Sequence, residues 1–323
     1  MTALVVAPGL QATVQDAGRH GHRHLGVGSA GALDAYSFAV ANLLVGNPPG
    51  AAVVEAALAG PTLRFERPVR IALCGAGTDA RVGDQPVPGW RPVDLPAGSE
   101  LRVGRCHRGA RSYLAVLGGW SVPAVLGSAS TDLRGGFGGV HGRALAAGDR
   151  LDVGPHAGIA ATQVRVAPWW IDPAPDLDFA TPATVRLLPG HDATTPPAAL
   201  AASTWHVAAA SNRQGLRLEG PALSLAPGSS PAAQRLSEPV APGTVQLPAD
   251  GQPIVLLADA QSHGGYPRIG HVAACDLPRL AQLRPGDSVR FAPCTAEEAL
   301  GLRRGQAARI ARIGIAIAGR QWP

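Results

Sequence analysis

Glycine and proline dominate this sequence and set the first limit on its fold. Among 323 residues there are 41 glycines and 30 prolines. Glycine weakens a helix through its backbone entropy, and proline removes a backbone donor and clashes with the preceding turn. Long helices tolerate few of either residue, whereas tight turns between short strands favour both. The sequence therefore predicts a mainly β protein with few, short helices.

Short apolar or alternating runs mark the predicted strands, and turn residues bound most of them. These runs are residues 69–73, 101–103, 113–117, 185–188, 245–247 and 254–258. Three helices are predicted: one over Ala35–Val45 with Asp34 as N-cap, a shorter one after Asp276 with Leu277, Leu280 and Leu283 on one face, and one after the capping box Thr295-x-x-Glu298. We expect each half of the chain to form a closed or nearly closed barrel flanked by a helix.

Two short motifs occur once in each half of the chain and in the same order. Leu58–Phe65 matches Leu218–Leu225 as apolar-x-Gly-Pro-x-Leu-x-apolar, which suggests a turn followed by a strand. Ala147–Val153 matches Pro285–Phe291 around a Gly-Asp pair. This repetition indicates an internal duplication.

The length and composition suit two domains. Hydrophobic residues make up 46% of the chain and charged residues 16%, which is typical of globular proteins. A segment rich in proline and aspartate divides the two sets of motifs. We predict an N-terminal lobe over residues 1–167, a connection over 168–182, and a C-terminal lobe with a C-terminal helix over 183–323.

The formal net charge is +5, and all 28 basic side chains counted are arginine, since the sequence contains no lysine. The basic residues are scattered along the chain. The nearest thing to a cluster is Arg102, Arg105, Arg108 and Arg111, and it contains no aromatic residue on which a base could stack. A solvated face is therefore favoured over a nucleic-acid site. Without lysine, this sequence can supply no Walker-type phosphate loop, no Schiff base and no biotinyl-lysine.

The four cysteines, Cys74, Cys106, Cys275 and Cys294, form no C-x-x-C pair. Cys74 lies in an apolar stretch and is interpreted as a small core residue. No apolar run is long enough to span a membrane, and the N-terminus lacks the features of a signal peptide. We expect a reduced, cytoplasmic protein.

Two stretches contain sequence motifs that are more specific than a structural role alone requires. The first is Pro8-Gly9-Leu10-x-x-Thr13-Val14-Gln15-Asp16-x-Gly18-Arg19, continuing through His24-Leu25-Gly26-Val27 to Ser29-x-Gly31-x-x-Asp34. The second runs from Ser211-Asn212-Arg213-x-Gly215 through Pro242-Gly243-Thr244-Val245-Gln246 to Asp259-x-Gln261-x-x-Gly264-Gly265-Tyr266-Pro267-Arg268. Together they resemble the family that holds the C subunit of 5-oxoprolinase, the second subunit once named for allophanate hydrolase, and the carboxyltransferase domain of urea carboxylase.

The resemblance covers nearly the whole chain and implies two cyclophilin-like β-barrel lobes with the active region between them. It implies an ATP-dependent opening of the 5-oxo-L-proline lactam to L-glutamate, carried out with two partners, a homologous B subunit and a further A subunit. ATP and Mg would then be bound mainly with those partners, and no biotin would be attached to this chain. No metal site, nucleic acid or membrane is expected.

Two other functions stay open at this point. The chain could be the carboxyltransferase component of a biotin-dependent urea-type carboxylase, or a regulatory binding protein that acts on a kinase inhibitor, as some family members are named. One departure from the family pattern bears on the substrate: Ser262-His263 stands where two small hydroxyl residues are usual.

The segment after the apolar run 254–258 is the strongest candidate site. Asp259 follows the predicted strand and is predicted to transfer protons or orient water, with Gln261 and Tyr266 as further catalytic candidates. Gly264 and Gly265 would offer backbone N–H donors to developing negative charge. Gln261 can pair with an amide or urea, and Arg268 can hold a carboxylate. The alternative is a tight turn capped by Asp259.

Further substrate-binding candidates lie outside that segment. They are Gln15, Asp16, Arg19, Ser29, Asn212 and Arg213. Asp16 and Arg19 could instead form a surface ion pair, and Asn212 and Arg213 could serve a turn. The glycine-rich run 134–139 resembles an anion-binding loop, which is weak evidence alone. His20, His22 and His24 alternate as metal ligands on a strand would, but an exposed polar face is favoured.

Overall fold

The structure, a computed structural model, describes residues 2–190, 197–224 and 236–320. Its contacts divide the chain into two compact units. The first consists of Met1–Arg19, Ala30–Leu177 and Ala308–Pro323, and the second of His20–Ser29 and Asp178–Ala307. Residues 20–29 group with the second unit, residues 308–320 group with the first, and the chain passes from one unit to the other after Leu177.

The described part of the first unit contains twelve strands and one complete helix. They are β1 (Thr2–Ala7), β2 (Gln11–Gln15), α1 (Ala35–Val45), β3 (Val53–Ala57), β4 (Ala59–Phe65), β5 (Val69–Thr78), β6 (Arg81–Val82), β7 (Gln85–Pro86), β8 (Pro92–Leu95), β9 (Glu100–Val116), β10 (Trp120–Ser121), β11 (Arg150–Val153) and β12 (Arg165–Val166). All twelve strands belong to one sheet, whose main path is β10-β11-β1-β4-β9-β5-β8-β12.

Strand β9 lies in the middle of the main path and joins the two halves of this sheet. It contains both of the runs predicted as separate strands, 101–103 and 113–117, because the glycines between them bend the strand without ending it. Gly104 and Gly109 both have φ of +76°, a conformation that favours glycine. The first half of β9 pairs with β4, and its second half pairs with β3 and β5.

The described part of the second unit centres on a closed barrel of seven strands in the order β13-β20-β17-β18-β15-β14-β21, with β16 and β19 as a separate two-stranded ladder. The elements are β13 (Ala183–Pro189), α2 (Pro197–Ala201), β14 (Trp205–Val207), β15 (Gly215–Glu219), β16 (Glu238–Pro239), β17 (Thr244–Gln246), β18 (Ile254–Leu256), β19 (His263–Gly264), β20 (Arg268–Val272), α3 (Leu277–Ala281) and β21 (Ser288–Pro293). The mainly β class is thus confirmed.

Capping residues correctly predicted the first and last helices, whereas the helix after Asp276, α3, has no side-chain cap and is only five residues long. Helix α1 begins after Asp34, whose Oδ1 accepts the amide of Ser37 at 2.9 Å, and it ends at Gly46 with φ of +83°. The last helix, α4 (Ala296–Ala318), has the predicted capping box, in which the Thr295 amide donates to Glu298 at 2.7 Å. At 23 residues it is longer than the sequence suggested. The short helix α2 was not predicted.

One repeated motif has the same geometry in both units. The turns that precede β11 and β21 place glycines with φ of +90° (Gly148) and +88° (Gly286). After each glycine, an aspartate carboxylate accepts a backbone amide three residues earlier at 2.8 Å; these aspartates are Asp149 and Asp287. The Gly-Asp pair therefore encodes the same turn before a strand in each unit.

The other motif forms the predicted turn and strand only in the first unit, where a bend at Leu58 (φ of +59°) precedes β4. Gly60 lies within β4, whereas β15 ends before Gly220, and Leu225 lies outside the described residues. What the two glycines share is close packing. A Cβ at Gly60 would lie 2.4 Å from Val103, and one at Gly220 would lie 2.7 Å from the ring of Trp205. The motif preserves room for a neighbouring side chain rather than a position in a strand.

Cys74 is buried as predicted, and burial raises the pKa of its thiol well above the usual value. The four cysteines, all within the described residues, are free. In the same part of the chain, none of the helices is both long enough and apolar enough to cross a membrane.

Candidate functional site

The strongest site predicted from the sequence is a loop of the second unit. It connects β18 to β20 and contains the short strand β19, which pairs with β16. In that ladder Gly264 lies opposite Glu238, and His263 lies opposite Pro239. The loop is therefore attached to the barrel at both ends and held in the middle by a ladder of two residue pairs.

A buried ion pair anchors the start of the loop. Arg213 donates from Nε and Nη2 to the two carboxylate oxygens of Asp259 at 2.9 and 2.8 Å. Both side chains are only 3% exposed. The structure thus brings together two predicted site residues, in a bidentate pair that positions the loop. The proton-transfer role predicted for Asp259 stays a prediction, and the pair adds a positioning role that sequence reasoning missed.

Arg23 holds the middle of the loop, and it was not among the predicted site residues. Its Nη2 donates to the backbone carbonyls of Val240 at 2.6 Å and Gln261 at 3.0 Å. Its Nη1 donates to Ser29 Oγ at 3.1 Å. Burial lowers the pKa of Arg23 from its usual value. Arg23 lies between His22 and His24 in the sequence, and that segment was interpreted only for its histidines.

The tip of the loop contains polar side chains and two glycines, whose backbone is not covered by a side chain of their own. Ser262 is buried, and its Oγ lies 3.0 Å from Nδ1 of the exposed His263. Gly264 and Gly265 are half-buried, and the Tyr266 side chain is 45% exposed. Donors and acceptors of several kinds therefore lie within five consecutive residues, as a site for a small polar molecule requires.

Arg268, at the end of the loop, already has a carboxylate partner. Its Nη2 donates to Glu238 Oε2 at 2.7 Å. A cavity of about 300 Å³ lies beside it, with Thr244 and His271 also in its wall. Burial lowers the pKa of His271, which favours the neutral imidazole. Holding a substrate carboxylate, the role predicted for Arg268, would require competition with Glu238.

Asn212 is exposed and serves a turn. Its Oδ1 accepts the backbone amide of Gln214 at 2.8 Å, which closes an Asx-turn before β15. This matches the alternative that its sequence context left open. A direct contact between Asn212 and a substrate stays a prediction.

The predicted N-terminal residues lie in the first unit, where their polar atoms hold loops together. Gln15 is fully buried: its Nε2 donates to Thr13 Oγ1 at 3.0 Å and to the Thr131 carbonyl at 3.2 Å, and its Oε1 accepts the Gly31 amide at 3.1 Å. Ser29, in contrast, belongs to the second unit and contacts Arg23. Ser29 thus belongs to the same unit as the 259–268 loop.

Asp16 organises the segment 128–130. Its carboxylate accepts the hydroxyls of Ser128 at 2.7 Å and Ser130 at 2.6 Å, and the amides of Gly18 at 2.8 Å and Ala129 at 2.6 Å. Burial alone raises the pKa of Asp16, but these four hydrogen bonds outweigh burial and hold the pKa below its usual value of 3.8.

Arg19 does not pair with Asp16, so the proposed surface ion pair is wrong. Arg19 is 1% exposed, and it donates to the carbonyls of Val125 and Ser130, each at 2.9 Å. Its guanidinium also lies 4.7 Å from the centre of the Phe137 ring, a cation–π contact. Both contacts attach Arg19 to loops of the first unit.

We predict that Asp16→Asn lowers the free energy of unfolding by about 1.5–3 kcal/mol at pH 7, because an amide is a weaker acceptor for the four donors. Since the folded pKa is depressed, the contribution of Asp16 is complete above its unfolded pKa, near 3.8, and is lost as the pH falls below that value. Thermal melts from pH 7 to pH 2.5 should therefore show a flatter acid limb for the variant. Equal acid limbs in the two proteins would contradict this assignment.

The glycine-rich run 134–139 does not fit an anion-binding loop. The amides of Arg134 and Gly135 donate to the carboxylate of Asp132 at 3.1 and 2.8 Å. The Gly136 amide donates to the Asp132 carbonyl at 2.9 Å. An acidic side chain thus occupies the place of an anion, and the weak signal from the sequence is not supported.

The alternating histidines do not form a metal site. His20 and His22 lie outside any strand, and His24 belongs to a short 3-10 turn, Arg23–Leu25. Among the described residues, no group of three or more His, Cys, Asp or Glu side chains is arranged to hold a metal ion.

Comparison with known proteins agrees with the resemblance found in the sequence. The family model described as carboxyltransferase domain, subdomain A and B, matches residues 25–293. The chain is 41% identical to the C subunit of 5-oxoprolinase from Escherichia coli (strain K12) over 309 residues, which are 94% of each chain.

Larger urea-processing enzymes contain a similar region. Urea amidolyase of Lachancea kluyveri is 32% identical over 95% of this chain, which corresponds to 18% of that protein. The crystal structure of Kluyveromyces lactis urea carboxylase matches with a TM-score of 0.86 and 29% identity, over 97% of this chain and 29% of that one. The chain thus spans nearly all of the bacterial relative but less than a third of either urea enzyme.

Proposed function

This chain belongs to the family of the carboxyltransferase domain, subdomain A and B, and we propose that it is the C subunit of an ATP-dependent 5-oxoprolinase. In that role it opens the lactam of 5-oxo-L-proline to L-glutamate together with two partners, a homologous B subunit and a further A subunit. The match along nearly the whole length of the C subunit of a bacterial 5-oxoprolinase carries this proposal. Its relatives are components of enzyme complexes, so a role as part of an enzyme is well supported.

The chemistry of the 259–268 loop suits this substrate. 5-Oxo-L-proline presents a planar amide carbonyl and a carboxylate. In our proposal, the guanidinium of Arg23 attracts the carboxylate, because it donates to carbonyl and hydroxyl oxygens rather than to an acid. The backbone of Gly264 and Gly265 faces the lactam, and Tyr266 and Gln261 complete the polar surroundings. Asp259 fixes the start of the loop through Arg213.

ATP would supply the energy for opening the lactam, which consumes one water and releases the ring nitrogen as an amine. The described part of this chain offers no cluster of acidic or histidine side chains for Mg²⁺, and the whole sequence has no lysine for a phosphate loop. We therefore propose that ATP and Mg are bound mainly by the partners.

Reconstitution tests this proposal. The chain should be purified alone and together with its natural partners, and glutamate formation from 5-oxo-L-proline should be followed with and without ATP. We expect ATP-dependent turnover by the complex and none by the isolated chain. Turnover by the isolated chain would contradict the proposed role in a complex, and a complete complex without turnover would contradict the reaction.

A second candidate is the carboxyltransferase component of a biotin-dependent urea-type carboxylase, which the likeness to the two urea enzymes favours. Biotin would then have to be attached to another chain, because this sequence has no lysine. An avidin blot of the purified complex distinguishes the two functions. A biotinylated partner supports the carboxyltransferase, and its absence from an active complex supports the 5-oxoprolinase.

A further inference from the structure

Gln246, on barrel strand β17, has a buried amide nitrogen without a hydrogen-bond partner. The residue is 1% exposed, and its Nε2 makes no hydrogen bond within the described residues. A buried N–H donor left unpaired destabilises the folded protein, and nearly all such groups in native proteins are paired. A hydrogen bond from Nε2 to an acceptor atom of a bound ligand would explain this unpaired donor.

The first unit contains a matched counterpart. Gln15 ends the sequence Thr13-Val14-Gln15 on β2, and Gln246 ends the sequence Thr244-Val245-Gln246 on β17. Both glutamines are buried. Gln15 uses its Nε2 and its Oε1 to hold neighbouring segments, as described above. The same residue in the same local sequence is therefore fully paired in one unit and has an unpaired donor in the other.

The unpaired amide lies directly under the candidate loop. A Cβ at Gly264 would lie 2.5 Å from Gln246 Nε2, so the absence of a side chain at that position makes room for the amide. Gly264 itself is partly exposed. It lies in β19, whose ladder with β16 has only two residue pairs. The donor therefore lies next to a partly exposed glycine, in a ladder of only two residue pairs.

We propose that Gln246 determines specificity by donating a hydrogen bond from Nε2 to the carbonyl oxygen of a small planar amide, a lactam or a urea, bound at residues 261–265. The donor is neutral, and the guanidiniums at the two ends of the loop, Arg213 and Arg268, are matched by Asp259 and Glu238. A neutral donor in such surroundings suits a carbonyl oxygen. This inference rests on the proposed function and names the residue that recognises the lactam oxygen.

The test replaces Gln246 with methionine, which has a similar length and no donor. In the full chain, Gln246→Met should raise the melting temperature by roughly 2–4 °C, because an unpaired buried donor is removed. In the assembled complex, kcat/KM for 5-oxo-L-proline should fall about 10- to 100-fold. Gln15→Met is the matched control for stability and should lower the melting temperature, because it removes paired groups.

Gly264→Ala is a second test, since its Cβ would press on Nε2; it should reduce kcat/KM by a similar factor with Gln246 intact. A melting temperature that falls after Gln246→Met, as expected for Gln15→Met, overturns the inference whatever the activity. Unchanged kcat/KM in Gln246→Met also overturns it while the proposed function stands. If the wild-type complex does not turn over 5-oxo-L-proline, calorimetry with the full chain measures binding of urea and of 5-oxo-L-proline instead. Weaker binding by Gln246→Met than by the wild type supports the inference. If the wild type binds neither compound, the inference is overturned.

Discussion

We expect Asp259→Asn to lower the free energy of unfolding by about 3–5 kcal/mol, the usual result of removing one partner from a buried ion pair. Asp259 and Arg213 are each 3% exposed, and two hydrogen bonds join them. Asparagine keeps the size of the side chain but leaves the Arg213 guanidinium buried without its counter-charge. The desolvation cost of that guanidinium is then no longer offset by a carboxylate, which is why the expected loss exceeds that of an ordinary hydrogen bond.

Urea denaturation of the full chain, followed by circular dichroism, measures this effect. An exposed ion pair offers a matched control: Arg64 and Glu100 are joined at 2.9 Å, but their side chains are 53% and 45% exposed. Glu100→Gln should change stability by less than about 1 kcal/mol. The double variant Asp259→Asn, Arg213→Met should recover much of the loss, because no buried charge remains unpaired. A variant that unfolds like the wild type would show that the pair does not anchor the loop.

The local parts of the fold could be predicted from the sequence, because they depend on neighbours along the chain. Asp34 and Gly46 define α1, and Thr295 with Glu298 begins α4. The glycines of β9 show the limit of this reasoning. Gly104 has the positive φ of a turn residue, but its neighbours continue to pair with β4, so the chain bends without turning back.

The candidate site could be predicted in part. The residues of the 259–268 loop lie together because they are consecutive, and the family resemblance singled them out. Their partners are distant in sequence: Arg213 is 46 residues from Asp259, and Arg23 is 238 residues from Gln261. Residue type alone could not distinguish an arginine that contacts a carboxylate from one that holds backbone carbonyls. The unpaired state of Gln246 likewise depends on tertiary packing, since Gln15 has the same local sequence and the opposite outcome.

Arg23→Gln should reduce kcat/KM of the assembled complex for 5-oxo-L-proline by about 10- to 100-fold, the effect of losing one charge-assisted contact to a carboxylate. Glutamine can still donate to one carbonyl of the loop, so the loss of stability should stay near 1 kcal/mol. The guanidinium is the feature under test, because in the wild type it donates to neutral oxygens and retains its charge for a ligand.

A lactam without a carboxylate distinguishes two possible roles of Arg23, which are binding of the substrate and support of the loop. We expect the inhibition constant of 2-pyrrolidinone to be nearly the same in the wild type and in Arg23→Gln, because this compound lacks the group that Arg23 attracts. Arg303→Gln, an equal change of charge at an exposed position of α4, is the matched control and should leave kcat/KM unchanged. Equal losses for both lactams would mean that Arg23 acts by holding Val240 and Gln261 in place. A direct contact with the carboxylate predicts a loss for 5-oxo-L-proline but not for 2-pyrrolidinone. Comparing the two losses in Arg23→Gln therefore distinguishes substrate binding from support of the loop.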